Sequence, residues 1–212
     1  MPLEGDSMLD FVLGANPDIK SLQARCARML NRAGISANTA TMLALFTGIV
    51  AGIEFGRGHT LGGIVALVVS AGFDAVDGAI ARECATPSAV GGVLDLTSDR
   101  VVETFVIVGI AWRDPALYFP ALMLVGSWYV NITLFLAVGA ALDRHGPKLI
   151  EYPPGLLERT EAIIFFVVLA TVEASGWMRP LGPMLCYAMT ALEIATGAQR
   201  LAFGLRMLRT NQ

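Results

Sequence analysis

Residues 60–82 read TLGGIVALVVSAGFDAVDGAIAR, and residues 89–112 read AVGGVLDLTSDRVVETFVIVGIAW. Each segment is long enough, as a helix, to cross a hydrocarbon core about 30 Å thick, and each is mostly apolar. Yet four aspartates, Asp74, Asp77, Asp95 and Asp99, lie inside them. A carboxylate near the bilayer centre costs about 2.5–3.5 kcal/mol on insertion scales, so four together cost about 10 kcal/mol unless something relieves them. Two membrane helices carrying acids, joined by the short link 83–90, are the unit from which the rest of the chain is read.

The remaining sequence has the same character. Of 212 residues, 55% are hydrophobic and only 16% charged, where a soluble domain carries about 25% charged residues. That excess excludes intrinsic disorder, a secreted disulfide scaffold and a nucleic-acid binder. Further apolar runs place spans at 37–56, 115–142, 160–177 and 180–208, six in all, with boundaries at Pro115, Pro147, Pro153, Pro154 and Pro180. The fold expected is all-α and integral to the membrane: residues 1–36 form an N-terminal segment and residues 37–212 a six-helix domain. The first eighteen residues carry acids and no Lys or Arg, so a cleavable signal is not expected. Cys26, Cys84 and Cys186 show no metal or redox spacing and read as packing residues.

Charge sets the orientation. With the N-terminus cytoplasmic, eleven of the fifteen Lys and Arg residues gather on that side, three (Arg57, Arg113, Arg179) on the other, and Arg100 stays within a span. Both termini and the 82–91 link are thus expected at the cytoplasmic face of a prokaryotic cytoplasmic membrane. Ahead of the first span, Ile19, Leu22, Cys26, Met29 and Leu30 make an apolar stripe beside Arg25, Arg28 and Arg32. The pattern predicts an amphipathic helix in the headgroup plane, the alternative being a helix packed on the bundle.

The acids are spaced for chemistry. Asp74 and Asp77 are three apart and Asp95 and Asp99 four apart, so each pair shares a helix face. Four carboxylates aimed into one cavity make a hard-cation site for Mg²⁺ or Mn²⁺, with room for two ions. The bland alternative is ion pairing to Arg82 and Arg100. Gly72, Gly78, Ala79, Ala81, Gly91 and Gly92 remove bulk around the acids and leave space for a ligand, whereas close helix packing suffices to explain Gly48 and Gly52.

Written out, the region is Asp74-x2-Asp77-Gly78-x2-Ala81-Arg82-x8-Gly91-x3-Asp95-x3-Asp99. It resembles the motif of the CDP-alcohol phosphotransferase (phosphatidyltransferase) family at every fixed position. The resemblance implies a homodimer that uses two divalent ions and a CDP-diacylglycerol-type lipid. It implies that Asp74, Asp77, Asp95 and Asp99 ligate the ions and that Asp99 is also the general base. Gly78, Ala81, Arg82, Ser88 and Gly91 would line the cytidine-diphosphate pocket. Asn38-x2-Thr41 resembles a further nucleotide-binding segment of the family, with Ala37 standing where proline is usual. Thr41 has a second reading, a hydroxyl bonded back to its own helix.

The acceptor alcohol is less legible. Lys148, Arg159 and Arg200 are the cytoplasmic cations suited to a phosphorylated acceptor, and the last two resemble the arginines that hold inositol phosphate in one branch of the family. They also read as positive-inside anchors, with Arg200 able to answer Glu193 on its own helix. Against that branch, residues 127–133 (SWYVNIT) contain no arginine. Inositol phosphate is favoured, glycerol 3-phosphate next, with unphosphorylated serine or inositol as alternatives. Asn131 is placed either at the acceptor or between helices, and Glu103 either on Arg100 or in the polar cavity. Other classes bind diphosphates or cations through acids. An intramembrane prenyltransferase usually has more spans and lacks the Asp77–Arg82 pattern, and a divalent-cation transporter would spread its acids along several spans.

Overall fold

The computed structural model describes residues 17–83, 88–143 and 159–210. Their elements are helices, with no strand among the described residues. In chain order these are α1 (Pro17–Arg32), α2 (Ala37–Arg57), α3 (Thr60–Glu83), α4 (Ala89–Ala111), a 3₁₀ turn (Pro115–Leu117), α5 (Tyr118–Asp143), α6 (Arg159–Ser175) and α7 (Leu181–Thr210). Local chemistry sets the ends. Ser36 caps α2 by accepting from the Thr39 amide at 3.2 Å, and Ser88 caps α4 by accepting from Gly91 N–H at 3.0 Å. Gly58 ends α2 in the left-handed region (φ 84°), where a side chain would be strained.

Three helical segments, Ala37–Arg57, Thr60–Glu83 and Pro115–Ala141, are long and apolar enough to cross a membrane. The other helices expected to cross differ for visible reasons. The interior of α4 holds Asp95, Asp99, Arg100 and Glu103, α6 has 17 residues, and α7 carries Glu193 and Arg200 mid-helix. The chain is an integral membrane protein with a polar interior on some of its helices.

Two compact units make up the chain: α1–α4 with most of α6, and α5 with α7. In the first, α2 packs on both α3 and α4, and α1 packs on α3. The α2–α3 pair is antiparallel, with Ser70 donating to the Ala44 carbonyl at 2.7 Å. The α2–α4 pair is parallel: Gly48 faces Val102, Gly52 faces the Phe105 backbone, and Gly56 faces Gly109. In the second unit α5 packs on α7.

On α1 the expected stripe is divided. Ala27 is fully buried and, with Leu30, joins Ala40, Val76, Ala79 and Ile80, while Arg28 pairs with Glu83 at 2.9 Å. Leu22 and Met29 stay exposed on another side. The helix packs on α3 and leaves those two apolar side chains uncovered among the described residues. Of the described cysteines, neither is in a disulfide; Cys26 is half-buried and Cys186 buried. His59 is exposed, as a loop histidine should be, and its Nδ1 lies 2.9 Å from Glu54 Oε2.

The tightest helix contact is between glycines. A Cβ on Gly109 would fall on the Gly52 carbonyl oxygen, and one on Gly52 would fall on the Phe105 carbonyl. Backbone cannot swing aside as a side chain can, so Gly109→Ala is expected to destabilise the protein by about 1–3 kcal/mol. Gly126→Ala, where nothing lies within 4 Å of the added methyl, should stay within about 0.5 kcal/mol of wild type. Thermal unfolding of both variants in detergent checks the contrast.

Candidate metal centre and nucleotide pocket

The acids arrive from two helices. Asp74 sits in the second half of α3 and Asp95 and Asp99 in the first half of α4, each half-buried, and one carboxylate oxygen from each lies within 4.8 Å of the others. Oxygens so placed on apolar helices repel unless positive charge stands between them. Three carboxylate donors at that separation fit a hard divalent cation, which takes oxygen ligands at 2.0–2.6 Å.

Asp77 falls outside that triad. It is 7% exposed, one turn along α3 from Asp74, and Thr41 Oγ1 of α2 donates to its Oδ2 at 2.6 Å. Thr41 also lies 3.1 Å from the Ala37 carbonyl, so both expectations for this hydroxyl have a geometric basis. A hydroxyl has one proton, and the shorter, charge-assisted contact is the stronger. Thr41 therefore acts chiefly as a donor to Asp77 and fixes its rotamer.

The expected nucleotide residues fall into two small groups. Asn38, at the start of α2, places Oδ1 3.3 Å from where a Cβ on Gly91 would sit, and Ser88 Oγ lies 3.1 Å from the same point. Any side chain at Gly91 would fill the gap between those oxygens. On α3, Arg82 folds back over Gly78, its Nη1 3.3 Å from a Cβ built there, with half-buried Ala81 beside it. Arg82, Ser88 and Asn38 are exposed. The helices α2, α3 and α4 thus bring Asn38, Thr41, Asp77 and Gly91 to the end of the unit that holds the triad.

Arg100 engages Glu103 through two nitrogens, at 2.7 and 2.8 Å, which settles Glu103 as its partner. Arg200 bonds Asn131 Oδ1 at 3.0 Å rather than Glu193, and Asn131 Nδ2 donates to Glu193 Oε2 at 2.6 Å. Asn131 therefore bridges helices. Arg159 is the first residue of α6, and Lys148 lies outside the described residues. No local pattern announces the Arg28–Glu83 pair, because 55 residues separate the partners.

The family model for CDP-alcohol phosphatidyltransferase matches residues 34–198. The chain belongs to that family. Membership makes it an enzyme of phospholipid synthesis, and sets it apart from the prenyltransferase and transporter alternatives. Among its relatives, phosphatidylinositol phosphate synthase of Mycobacteroides abscessus is 31% identical over 82% of this chain and 80% of its own. Archaetidylinositol phosphate synthase of Pyrococcus horikoshii is 32% identical over 74% of this chain and 81% of its own. The crystal structure of Mycobacterium tuberculosis phosphatidylinositol phosphate synthase with CDP-DAG bound superposes with a TM-score of 0.69 at 25% identity, covering 86% of this chain and 92% of that one. Another structure of that enzyme is in complex with manganese and citrate.

The Thr41–Asp77 bond yields a direct test. Thr41→Val leaves a buried carboxylate short of one donor and should cost about 1–2 kcal/mol of stability, whereas Thr41→Ser should retain most of it. Detergent unfolding of the two variants separates a hydrogen bond from a packing effect.

Proposed function

We propose that the chain transfers the phosphatidyl group of a CDP-diacylglycerol-type lipid to the hydroxyl of a small polar alcohol and releases CMP. The convergence of Asp74, Asp95 and Asp99 within 4.8 Å, in a chain of this family, carries the reading. In this reading Asp74, Asp77, Asp95 and Asp99 would hold two divalent ions, Mg²⁺ or Mn²⁺, which would supply the positive charge that a diphosphate and departing CMP require, and the triad of Asp74, Asp95 and Asp99 supports it.

The protein's own groups do the rest. Asn38, Thr41, Gly78, Ala81, Arg82, Ser88 and Gly91 bind and orient the cytidine diphosphate, Thr41 through Asp77. Asp99 takes the proton of the acceptor hydroxyl, whose oxygen bonds to the lipid-side phosphorus as the bridging P–O bond to CMP breaks. Lys148, Arg159 and Arg200 bind a phosphate on the acceptor. Inositol phosphate is the favoured acceptor and glycerol 3-phosphate the next, a preference supported by the names of the relatives. The acyl chains remain in the bilayer, which is why the catalyst is a membrane protein. The same reading holds residues 37–212 as a six-span domain after the 1–36 segment, forming a homodimer with both termini and the site on the cytoplasmic side. Its support is the eleven-of-fifteen distribution of cations together with the family resemblance.

The decisive assay is CMP release from CDP-diacylglycerol by purified protein, against inositol 1-phosphate, glycerol 3-phosphate, serine and inositol. Turnover is expected with a phosphorylated acceptor, lost on chelation, and reduced at least about 100-fold by Asp99→Asn. Folded protein that releases no CMP with any of the four would sink the reading. Turnover with serine or free inositol alone would remove the phosphorylated acceptor and leave the transfer reaction standing.

A further inference from the structure

The unit of α5 and α7 contains a polar chain of which the reaction as set out above uses only Arg200. Glu193 and Arg200 are seven residues apart on α7 and share a face, with Gly197 between them. Seven residues of helix span about 10 Å along the axis. Asn131 of α5 enters the space, its Oδ1 4.0 Å from where a Cβ on Gly197 would be. Its Nδ2 donates to Glu193 Oε2 at 2.6 Å and its Oδ1 accepts from Arg200 Nη1 at 3.0 Å. Asn131 is 6% exposed and Glu193 7%. The amide has one workable orientation, because the flipped form would face donor to donor at the guanidinium and acceptor to acceptor at the carboxyl. Phe135, one turn along α5, holds its ring 5.7 Å from Arg200 Cζ.

This arrangement ties Arg200 to Glu193 through the neutral amide of Asn131. Among the described residues, the guanidinium's hydrogen bond to that amide runs through Nη1. Arg200 Nε is buried and has no hydrogen-bond partner, a costly condition for a donor. The Nε and Nη2 hydrogens form the edge of the fork that an oxyanion meets with two oxygens at once. We infer that Asn131 and Glu193 are positioning residues that present the Nε/Nη2 edge of Arg200 to the phosphate of the acceptor. The inference rests on the phosphorylated-acceptor reading given under Proposed function, and it adds two residues that determine how well that phosphate is held.

The experiment uses the full chain in lipid nanodiscs, varying inositol 1-phosphate and CDP-diacylglycerol separately while CMP release is followed. Asn131→Leu/Glu193→Leu removes both partners together, so no buried group is stranded by loss of the other. It should raise KM for the phosphorylated acceptor by about tenfold or more, with kcat within about threefold and KM for the lipid within about twofold. Arg200→Ala should raise the same KM at least as much, and combining it with the double substitution should add less than about twofold. Glu193→Gln, which keeps an acceptor oxygen for Asn131, should recover the acceptor KM to within about threefold of wild type. Should the double variant fail to fold, Asn131→Ala breaks the same two bonds and is expected to show the same split. An unchanged acceptor KM with only a lowered melting temperature, or full additivity with Arg200→Ala, would overturn the inference. Failure of the underlying reading shows separately, in wild-type protein that turns over only unphosphorylated acceptors.

Discussion

Carboxylates on apolar helices dominate the energetics of this molecule. Asp74, Asp95 and Asp99 bring oxygens to within 4.8 Å of one another on segments whose other residues belong in lipid. Such a cluster is stable only where positive charge and fixed hydrogen-bond donors are at hand, and the surrounding structure is organised around that need. Thr41 supplies a donor to Asp77, the cap at Ser88 fixes the first turn of α4, and Glu103 pairs with Arg100.

Supplying that need requires helices to approach more closely than side chains usually allow. In a bilayer, helix association draws on packing and interhelical hydrogen bonds rather than on exclusion of water, and small residues make both possible. Here α2 is the shared partner, touching α3 through Thr41 and Ala44 and α4 through Gly48, Gly52 and Gly56. The acidic motif sits on α3 and α4, but its geometry is set by a helix that contributes none of the four aspartates.

Much of this was legible because membrane helices write their lengths in hydropathy. The ends of α2 and α3 lie within a residue of the spans read from composition, and the start of α4 is fixed by its serine cap. The motif from Asp74 to Asp99 carried the resemblance to the family whose model matches residues 34–198. Tertiary choices were not written there. The stripe on α1 did not reveal that Ala27 and Leu30 face the bundle while Leu22 and Met29 do not, because periodicity describes one surface and this helix has two. Asn131 could be seen as a polar residue in a span, but its role depends on a glycine and two charged residues more than sixty positions away. Nor did equal-looking aspartates announce that Asp77 is turned to a threonine while the other three face each other.

The glycine contact between α2 and α4 has a mechanical side. Gly109 is ten residues from Asp99 and Gly52 is eleven from Thr41, so at 1.5 Å per residue both of those residues lie about 15 Å from the point where the backbones touch. The contact is a fulcrum with two nearly equal arms. On arms of that length a tilt of about 4° moves the tips apart by about 1 Å, a displacement large enough to cost about a hundredfold in rate where reacting groups must be aligned. The absence of two methyl groups at the far end of the bundle thus sets the tolerance to which the carboxylates are held.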